Sequence, residues 1–182
     1  MTRQSEVQKY NIAYKNQSYR MGEKRMKHAL HFLNATEKGS LLDVSTGRGE
    51  MMRLAREIGF YPVTGTEAVG YLCGPDVFEA MAHDLPFMDG SFDVVCMFDV
   101  MEHLLPSDTA AACAELMRVA QRRVFLTVHN GPHRLNGTDL HINRRDSYEV
   151  WHEELKACFA PCEVIRHGKG DSISEMFEVV VR

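Results

Sequence analysis

The stretch LLDVSTGRGEMMRLAREIGFYPVTGTEAV, residues 41–69, decides the fold. It begins with a short apolar run that contains Asp43, passes through a turn with Gly47 and Gly49, and continues with helically spaced apolar residues. A second apolar run then ends near Glu67. Glycine permits a tight bend and removes the Cβ that would hold a ligand away from backbone N–H groups. The pattern predicts a strand, a turn open to a ligand, a helix and a second parallel strand.

The rest of the chain continues this alternation of strands and helices. Apolar runs predict further strands at 77–83, 93–99, 123–129, 162–168 and 174–182, and helices at 107–119 and 148–159. The last two strands are joined by too short a turn for a crossover, so they should pair antiparallel. We predict an α/β fold: a Rossmann-like, doubly wound, mostly parallel seven-stranded sheet with an antiparallel C-terminal hairpin. Ser107 and Asp146 are the predicted N-caps of the two helices, with Glu149 completing a capping box.

No linker or repeat divides the chain, so residues 1–182 are predicted to form one domain. A basic N-terminal arm and helix, residues 1–38, should precede a Rossmann-like core, residues 40–182. Residues 1–39 carry eight Lys and Arg against three Asp and Glu, whereas the remainder carries thirteen against twenty-two. This basic segment is either a solvated helix face or a surface that attracts an anionic acceptor.

Within the N-terminal segment, the helix predicted at 22–35 turns its apolar side to the core and points Lys24, Arg25 and Lys27 outward. Tyr10 and Tyr14, one helical turn apart, belong to a short helix or a mobile arm.

The composition, 45% hydrophobic and 25% charged, is typical of a folded globular chain. No apolar run is long enough to span a bilayer, and the first ten residues lack the apolar core of a signal peptide. The five cysteines form no CxxC pair, and their odd number argues against a disulfide framework. We expect a cytoplasmic protein with no membrane segment and with reduced thiols.

Two acidic residues, Glu67 and Asp43, indicate which kind of nucleotide ligand the turn could bind. Glu67 lies eighteen residues after Gly49 at the end of a strand, where a carboxylate can accept hydrogen bonds from both ribose hydroxyls. Asp43 beside the turn would repel a pyrophosphate but attract a cationic amino-acid group, and the turn lacks the third glycine of dinucleotide sites. The pattern therefore favours a nucleoside that carries an amino acid.

These motifs resemble those of the class I S-adenosylmethionine-dependent methyltransferases, in particular small generic members. LLDVSTGRGE is similar to their first motif, VTGTEAV to their second, and HDLPFMDGSFDVVCMFDVMEHL to their third and fourth. The resemblance implies an enzyme that uses S-adenosylmethionine. We expect methylation, at oxygen or nitrogen, of a small polar or anionic acceptor, because no inserted domain is available to bind a large target.

The resemblance also implies a set of cofactor-binding residues. The methionine end would contact Asp43, Ser45, Thr46, Gly47 and Gly49, the ribose Glu67, the adenine Asp84 and Leu85, and the sulfonium pocket Phe98 and Asp99. Two positions depart from the family: Ser45 stands where a glycine is usual, and Met81 where many members have an acid.

The segment after the fourth predicted strand has two interpretations. Asp99, Glu102 and His103 would share one face of a helical turn and could bind Mg²⁺ or Zn²⁺. The segment is similar to the metal-binding turn of some ubiquinone-pathway and small-RNA O-methyltransferases, which add a later histidine; His129 or His133 could serve. The alternative, which we favour, is that Glu102 and His103 pack the start of the helix.

The loop at 129–146 should lie at the acceptor face, where loops carry specificity. It contains His129, His133, His141, Arg144 and Arg145. His129 is our first candidate for a catalytic base and His103 the second, since an unperturbed imidazole titrates near neutrality. With Lys9, Lys15, Arg20 and the N-terminal tyrosines, the loop forms either a cationic, partly aromatic lid or an ordinary polar loop.

Two other functions stay open. A degenerate member would bind S-adenosylmethionine or a partner chain without turnover, a hypothesis that rests on Ser45 and Met81. An RNA- or DNA-modifying methyltransferase would bind its target through the basic N-terminal segment. The acidic charge of the rest of the chain argues against this hypothesis. The sequence does not define the oligomeric state.

Overall fold

The computed structural model describes residues 3–15, 21–135, 137–170 and 172–181. The strands are β1 Leu41–Val44, β2 Val63–Glu67, β3 Val77–Glu79, β4 Phe92–Phe98, β5 Ala120–Val128, β6 Arg134–Leu135, β7 Thr138–Asp139, β8 Glu163–Gly168 and β9 Glu175–Val180. The helices are α1 Arg3–Lys15, α2 Glu23–Ala35, α3 Glu50–Glu57, α4 Thr109–Val119 and α5 Tyr148–Cys158.

Seven strands form one sheet in the order β3-β2-β1-β4-β5-β9-β8. The first five strands of this order are parallel, whereas β9 runs antiparallel to both β5 and β8. The predicted doubly wound sheet with an antiparallel C-terminal hairpin is therefore confirmed. Strand order reverses between β1 and β4, which opens a crevice at the carboxyl ends of these strands.

The buried strand β4 shows how the sheet divides the core into two layers. Val95 and Met97 pack on the side of α4 and α5, around Trp151. Val94 and Cys96 pack on the opposite side, among residues of α2 and α3. Successive side chains of a strand point to opposite faces, so an apolar run without alternation is what a strand covered on both faces requires.

Two predicted helix caps are wrong. α4 begins at Thr109 after a 3-10 turn at Pro106–Asp108, so Ser107 is not its N-cap. Ser147, and not Asp146, caps α5: Ser147 has extended backbone angles and its hydroxyl accepts from the Val150 N–H at 3.4 Å. Glu149 is consequently not part of a capping box and instead accepts a hydrogen bond from Arg166 at 2.7 Å.

The loop predicted at 129–146 contains a small hairpin, β6 and β7, that the sequence did not indicate. All five cysteines are free thiols. Among the described residues, no helix combines the length and the apolar character that crossing a membrane demands.

Candidate functional site

A cavity of about 250 Å³ lies at the carboxyl ends of β1, β2 and β4, beneath α1. Its floor comes from the turn after β1 and from the ends of β2 and β4. Its opposite wall comes from α1, from the start of α2 and from His133. The crevice predicted by the strand order is thus present, and the N-terminal segment covers it.

The turn after β1 adopts left-handed backbone angles at three positions. Ser45 has φ +60°, Gly47 φ +60° and Gly49 φ +77°. The Thr46 N–H donates to the Thr66 carbonyl at 2.8 Å, which ties the turn to the end of β2. Glycine adopts these angles freely, whereas a residue with a Cβ is strained there. Ser45 therefore holds a strained conformation at the position where related sequences have glycine.

Asp43 lies beneath this turn. Its carboxylate accepts from the Thr46 hydroxyl at 2.6 Å and from the Cys96 thiol at 3.5 Å. Burial raises the pKa of Asp43 to about 6. Among the described residues that line the cavity, Ser45, Thr46 and Gly47 are present and Asp43 is absent. Asp43 therefore shapes the turn from below.

Glu67 reaches the cavity from the end of β2. One carboxylate oxygen accepts from the Gly47 N–H at 2.9 Å and the other from the Val69 N–H at 3.0 Å. Burial raises the pKa of this carboxyl. Each oxygen of a carboxylate has two acceptor sites, so both oxygens keep capacity for a ribose hydroxyl.

Met81 and Ala82 line the cavity at the expected adenine end. The exposed Asp84 lines a second pocket, which shares Met81 with this cavity. The Leu85 side chain is buried in the core on the α4 side, and its N–H donates to Glu115 at 2.7 Å. The role of Asp84 and Leu85 in binding the cofactor stays a prediction.

The end of β4 contributes Phe98 and Asp99 to the cavity, and their role at the sulfonium stays a prediction. Asp99 has φ +54°, and its two oxygens accept from Arg25 at 2.8 Å and from the Thr127 hydroxyl at 2.9 Å. The Arg25 side chain is 24% exposed and lines the cavity. The prediction that Arg25 points outward is wrong, because the buried carboxylate of Asp99 draws the guanidinium inward.

The helical alternative for the N-terminal tyrosines is confirmed, since both lie in α1. Tyr10 and Tyr14 line the cavity, and the Tyr14 carbonyl accepts a hydrogen bond from the Arg48 side chain. Met21 adds an apolar contact to the same wall. The sequence pointed to the tyrosines but gave no signal for Met21, because its place on the wall depends on how α1 and α2 dock.

Four histidines meet on the acceptor side of the cavity. The ring of His141 lies 4.6 Å from that of His103, 5.0 Å from that of His129 and 5.2 Å from that of His133, centroid to centroid. His103 and His133 line the cavity, whereas His129 is not among the described lining residues. Burial lowers the pKa of His103 to about 3 and that of His141 to about 4. Both imidazole rings are therefore uncharged at neutral pH.

The metal-ligand set expected from the sequence is not assembled. Asp99 is engaged by Arg25 and Thr127, while Glu102 and His103 gather with His141, their ligand atoms within 4.8 Å of one another. The histidine that lies with Glu102 and His103 is therefore His141, and not His129 or His133. Asp99 leaves the set because its left-handed backbone turns the carboxylate toward β5 and α2.

The expected cationic lid is also only partly present. Arg145 turns inward, where it pairs with Glu154 and lies over the Trp151 ring at 4.5 Å, and Arg144 pairs with Asp139 at 3.2 Å. Arg20, expected in the same lid, lies outside the described residues. Among the described residues of this loop, His133 alone lines the cavity.

The sheet order, the glycine turn after β1 and the acid at the end of β2 together define the Rossmann-like fold of class I S-adenosylmethionine-dependent methyltransferases. The chain belongs to the methyltransferase domain family, whose model matches residues 17–178. It is an enzyme, and its cofactor is S-adenosylmethionine.

Solved structures share this fold at low sequence identity. The PH0226 protein of Pyrococcus horikoshii is 16% identical with a TM-score of 0.70, covering 92% of this chain and 94% of its own. A Burkholderia thailandensis 1,6-didemethyltoxoflavin-N1-methyltransferase, with its acceptor and S-adenosylhomocysteine bound, is 14% identical with a TM-score of 0.73, covering 97% and 87%. A methyltransferase in complex with the Trm112 activator of Haloferax volcanii is 16% identical with a TM-score of 0.64, covering 87% and 91%. Curated protein sequences give no match.

Proposed function

We propose that this enzyme methylates a small polar or anionic acceptor at oxygen or nitrogen. The observation that carries the proposal is the wall opposite the cofactor turn, where α1 closes over the cleft and presents Tyr10 and Tyr14, while α2 adds the half-buried Arg25. The cavity, at about 250 Å³, is small for a ligand site, so α1 must move away from the floor when cofactor and acceptor bind together, and a small acceptor requires the least movement. The toxoflavin relative, whose acceptor is a small molecule, supports this size class.

The cofactor residues follow from the floor of the cavity. Ser45, Thr46 and Gly47 would hold the methionine end, Glu67 the ribose, and Met81 with Ala82 the adenine. S-adenosylmethionine supplies a methyl group on a positively charged sulfur. Asp43 fixes the turn from below, and its charge favours the cationic ligand.

The acceptor residues follow from the opposite wall. Arg25 lines the cavity with a side chain that is 24% exposed, and its pair with Asp99 uses only one of the five guanidinium N–H donors, so it can also donate to an anionic group of the acceptor. Tyr10 and Tyr14 provide flat surfaces that position a ring and exclude water. These contacts would hold the acceptor in line with the transferred methyl.

A hydroxyl acceptor must also lose a proton, and His133 is the imidazole best placed to take it. It lines the cavity, and burial lowers its pKa, so the ring is neutral and can accept a proton at neutral pH. His129 is the weaker candidate because it is not among the described residues that line the cavity. His133→Asn should lower kcat by about 10²–10⁴-fold if it is the base.

The nucleic-acid alternative has less support. Two cations of the basic segment are neutralised within the fold: Lys9 pairs with Glu6 at 2.8 Å and Lys27 with Glu23 at 2.7 Å. Binding to a phosphate backbone needs several cations that are available to it.

Calorimetry with S-adenosylhomocysteine tests the cofactor assignment. Glu67→Ala should weaken binding by at least about 10-fold, whereas Glu57→Ala, at an exposed position on α3, should leave it unchanged. Equal binding by both variants would remove Glu67 from the site.

The acceptor class is tested separately with S-adenosylmethionine carrying a labelled methyl group. The enzyme is incubated with a cell extract divided into small molecules, RNA and DNA, and protein. Label in the small-molecule fraction, lost with Arg25→Met, is the expected result. Label confined to RNA and DNA would establish the alternative.

A further inference from the structure

We propose that Cys113 and Cys158 form a reversible disulfide when the protein meets a peroxide. Cys113 lies on α4, and Cys158 is the last residue of α5. Both are free thiols in this structure. Neither is among the described residues that line the cavity, so this site of oxidative modification does not depend on the identity of the methyl acceptor.

The two thiols meet where α4 packs against α5. They are hydrogen-bonded to each other, and Cys158 lies against the core cluster that contains Cys113. One turn further along α4, the same alignment continues: the Met117 sulfur lies 3.7 Å from the Cys162 sulfur. Disulfides join cysteines whose Cβ atoms are about 3.5–4.5 Å apart, a range that a hydrogen bond between two thiols brings within reach.

The two sulfurs differ in their exposure to water. Cys113 is fully buried, whereas Cys158 is partly exposed. Burial disfavours a thiolate, so the negative charge belongs on Cys158 and the Cys113 thiol donates the hydrogen bond. This hydrogen bond lowers the pKa of Cys158 and raises that of Cys113. Because the thiolate is the nucleophilic form of cysteine, Cys158 is the thiol that a peroxide would reach and oxidise first.

Two charged side chains of opposite sign also face Cys158. Compared with the hydrogen bond from Cys113, both act weakly on the pKa of Cys158: Glu154 raises it and Arg145 lowers it. The Arg145 guanidinium and the Glu154 carboxylate pair with each other at 2.7 Å, so their fields at the Cys158 sulfur oppose one another. The neighbouring thiol is therefore the main cause of the thiolate character of Cys158.

The other three cysteines lack this arrangement. Burial raises the pKa of Cys73 and of Cys96, so both thiols stay protonated at neutral pH. The Cys162 thiol donates to the Met117 sulfur at 3.7 Å, which turns it to a thioether that cannot form a disulfide. The pair of Cys113 and Cys158 therefore combines a reactive thiolate with an adjacent second thiol.

Hydrogen peroxide is the oxidant that balances the reaction. The Cys158 thiolate attacks one peroxide oxygen: an S–O bond forms, the O–O bond breaks, and the released hydroxide takes up a proton to give water. The Cys113 sulfur then attacks the sulfenic sulfur of Cys158: the S–S bond forms, the S–O bond breaks, and the hydroxyl leaves as water with the Cys113 proton. Two thiols are oxidised to one disulfide, and one peroxide is reduced to two waters. A small dithiol reverses the change by thiol–disulfide exchange.

Mass spectrometry of the full chain after brief treatment with hydrogen peroxide tests the pair. Remaining thiols are blocked with N-ethylmaleimide, and the chain is then digested. We expect a link between the peptides that contain Cys113 and Cys158, which dithiothreitol removes. Cys158→Ser should abolish the link, whereas Cys162→Ser, the matched control at the same helix pair, should keep it.

A variant without the second thiol separates the roles of the two cysteines. Cys113→Ala, combined with Cys162→Ser, leaves the sulfenic acid of Cys158 unresolved, so dimedone should trap it there. Loss of the hydrogen bond should also slow alkylation of Cys158 by iodoacetamide at pH 7 by at least about 3-fold relative to Cys162→Ser.

Cooperative urea unfolding shows that each variant is folded, and it does not depend on the cofactor or the acceptor. Failure of this proposal is therefore distinguishable from failure of the proposed function. The proposal is overturned if the folded parent forms no disulfide, if Cys158 links to Cys162 instead, or if its alkylation is equally fast without the Cys113 thiol.

Discussion

The Tyr14 hydroxyl oxygen lies 2.6 Å from the position that a Cβ on Gly47 would occupy. This contact brings the N-terminal helix onto the glycine turn after β1, in a chain where the two residues are far apart in sequence. α1 therefore covers the site. Glycine suits position 47 for two reasons: its backbone has a positive φ angle, and Tyr14 leaves little space for a Cβ.

Gly47→Ala should destabilise the protein by about 1–3 kcal/mol, because alanine is strained at φ +60° and its methyl group would collide with Tyr14. Urea unfolding measures the change. Adding Tyr14→Ala should recover the steric part and leave the backbone strain. Gly74→Ala, where a Cβ meets no atom within 4 Å, is the control and should cost little. Equal losses at both glycines would contradict the contact.

Ser45→Gly should stabilise the protein by about 0.5–1 kcal/mol. Glycine releases the strain at φ +60° but loses part of that gain through the greater freedom of the unfolded chain. Ser45→Ala separates the backbone effect from loss of the hydroxyl, since alanine keeps the strain. Thermal unfolding of the ligand-free protein is the measurement, and a loss of stability in Ser45→Gly would show that the serine is not strained.

Asp43→Asn should stabilise the ligand-free protein at pH 7 while weakening S-adenosylmethionine binding at least about 10-fold. Burial raises the pKa of Asp43 from 3.8 to about 6, so the folded state favours the protonated carboxyl. This group's contribution to stability is therefore greatest below pH 4 and declines as the pH rises through 6. The charged form costs up to about 3 kcal/mol at pH 7, at 1.36 kcal/mol per pKa unit.

The difference in unfolding free energy between Asp43→Asn and the parent, measured from pH 4 to pH 8, tests this sign. The asparagine variant should gain on the parent as the pH rises and show no advantage at pH 4. A constant difference across the range would mean that Asp43 does not titrate near 6 in the folded protein.

Arg25→Met should destabilise the protein by about 1–3 kcal/mol, because it leaves the carboxylate of Asp99, whose side chain is 7% exposed, without its charged partner. Lys27→Met, which breaks the exposed pair with Glu23 on the same helix, should change stability by less than about 0.5 kcal/mol. A double-mutant cycle with Asp99→Asn isolates the pair, and a coupling energy near zero would show that the two side chains do not interact in solution.

Hydrophobic periodicity was enough to predict the sheet. The apolar run of β4, which does not alternate with polar residues, indicates a strand buried on both faces. The short turn between β8 and β9 requires these strands to pair antiparallel. Both signals are encoded by neighbouring residues. The confirmed cofactor also follows from local sequence, because the turn at 46–49 and the acid at Glu67 belong to a single strand-turn-helix-strand unit. The roles of the individual cofactor residues stay predictions.

The sequence by itself determined the fold class and the presence of a crevice at the carboxyl ends of the strands, since both follow from patterns within short segments of the chain. Tertiary structure decided that Arg25 turns inward to Asp99, that Tyr14 covers Gly47, and that His141 joins Glu102 and His103. These pairs are separated by tens of residues, and their side chains meet only because the helices and the loop after β7 dock on the sheet. Periodicity within one segment carries no information about which distant segment will lie against it.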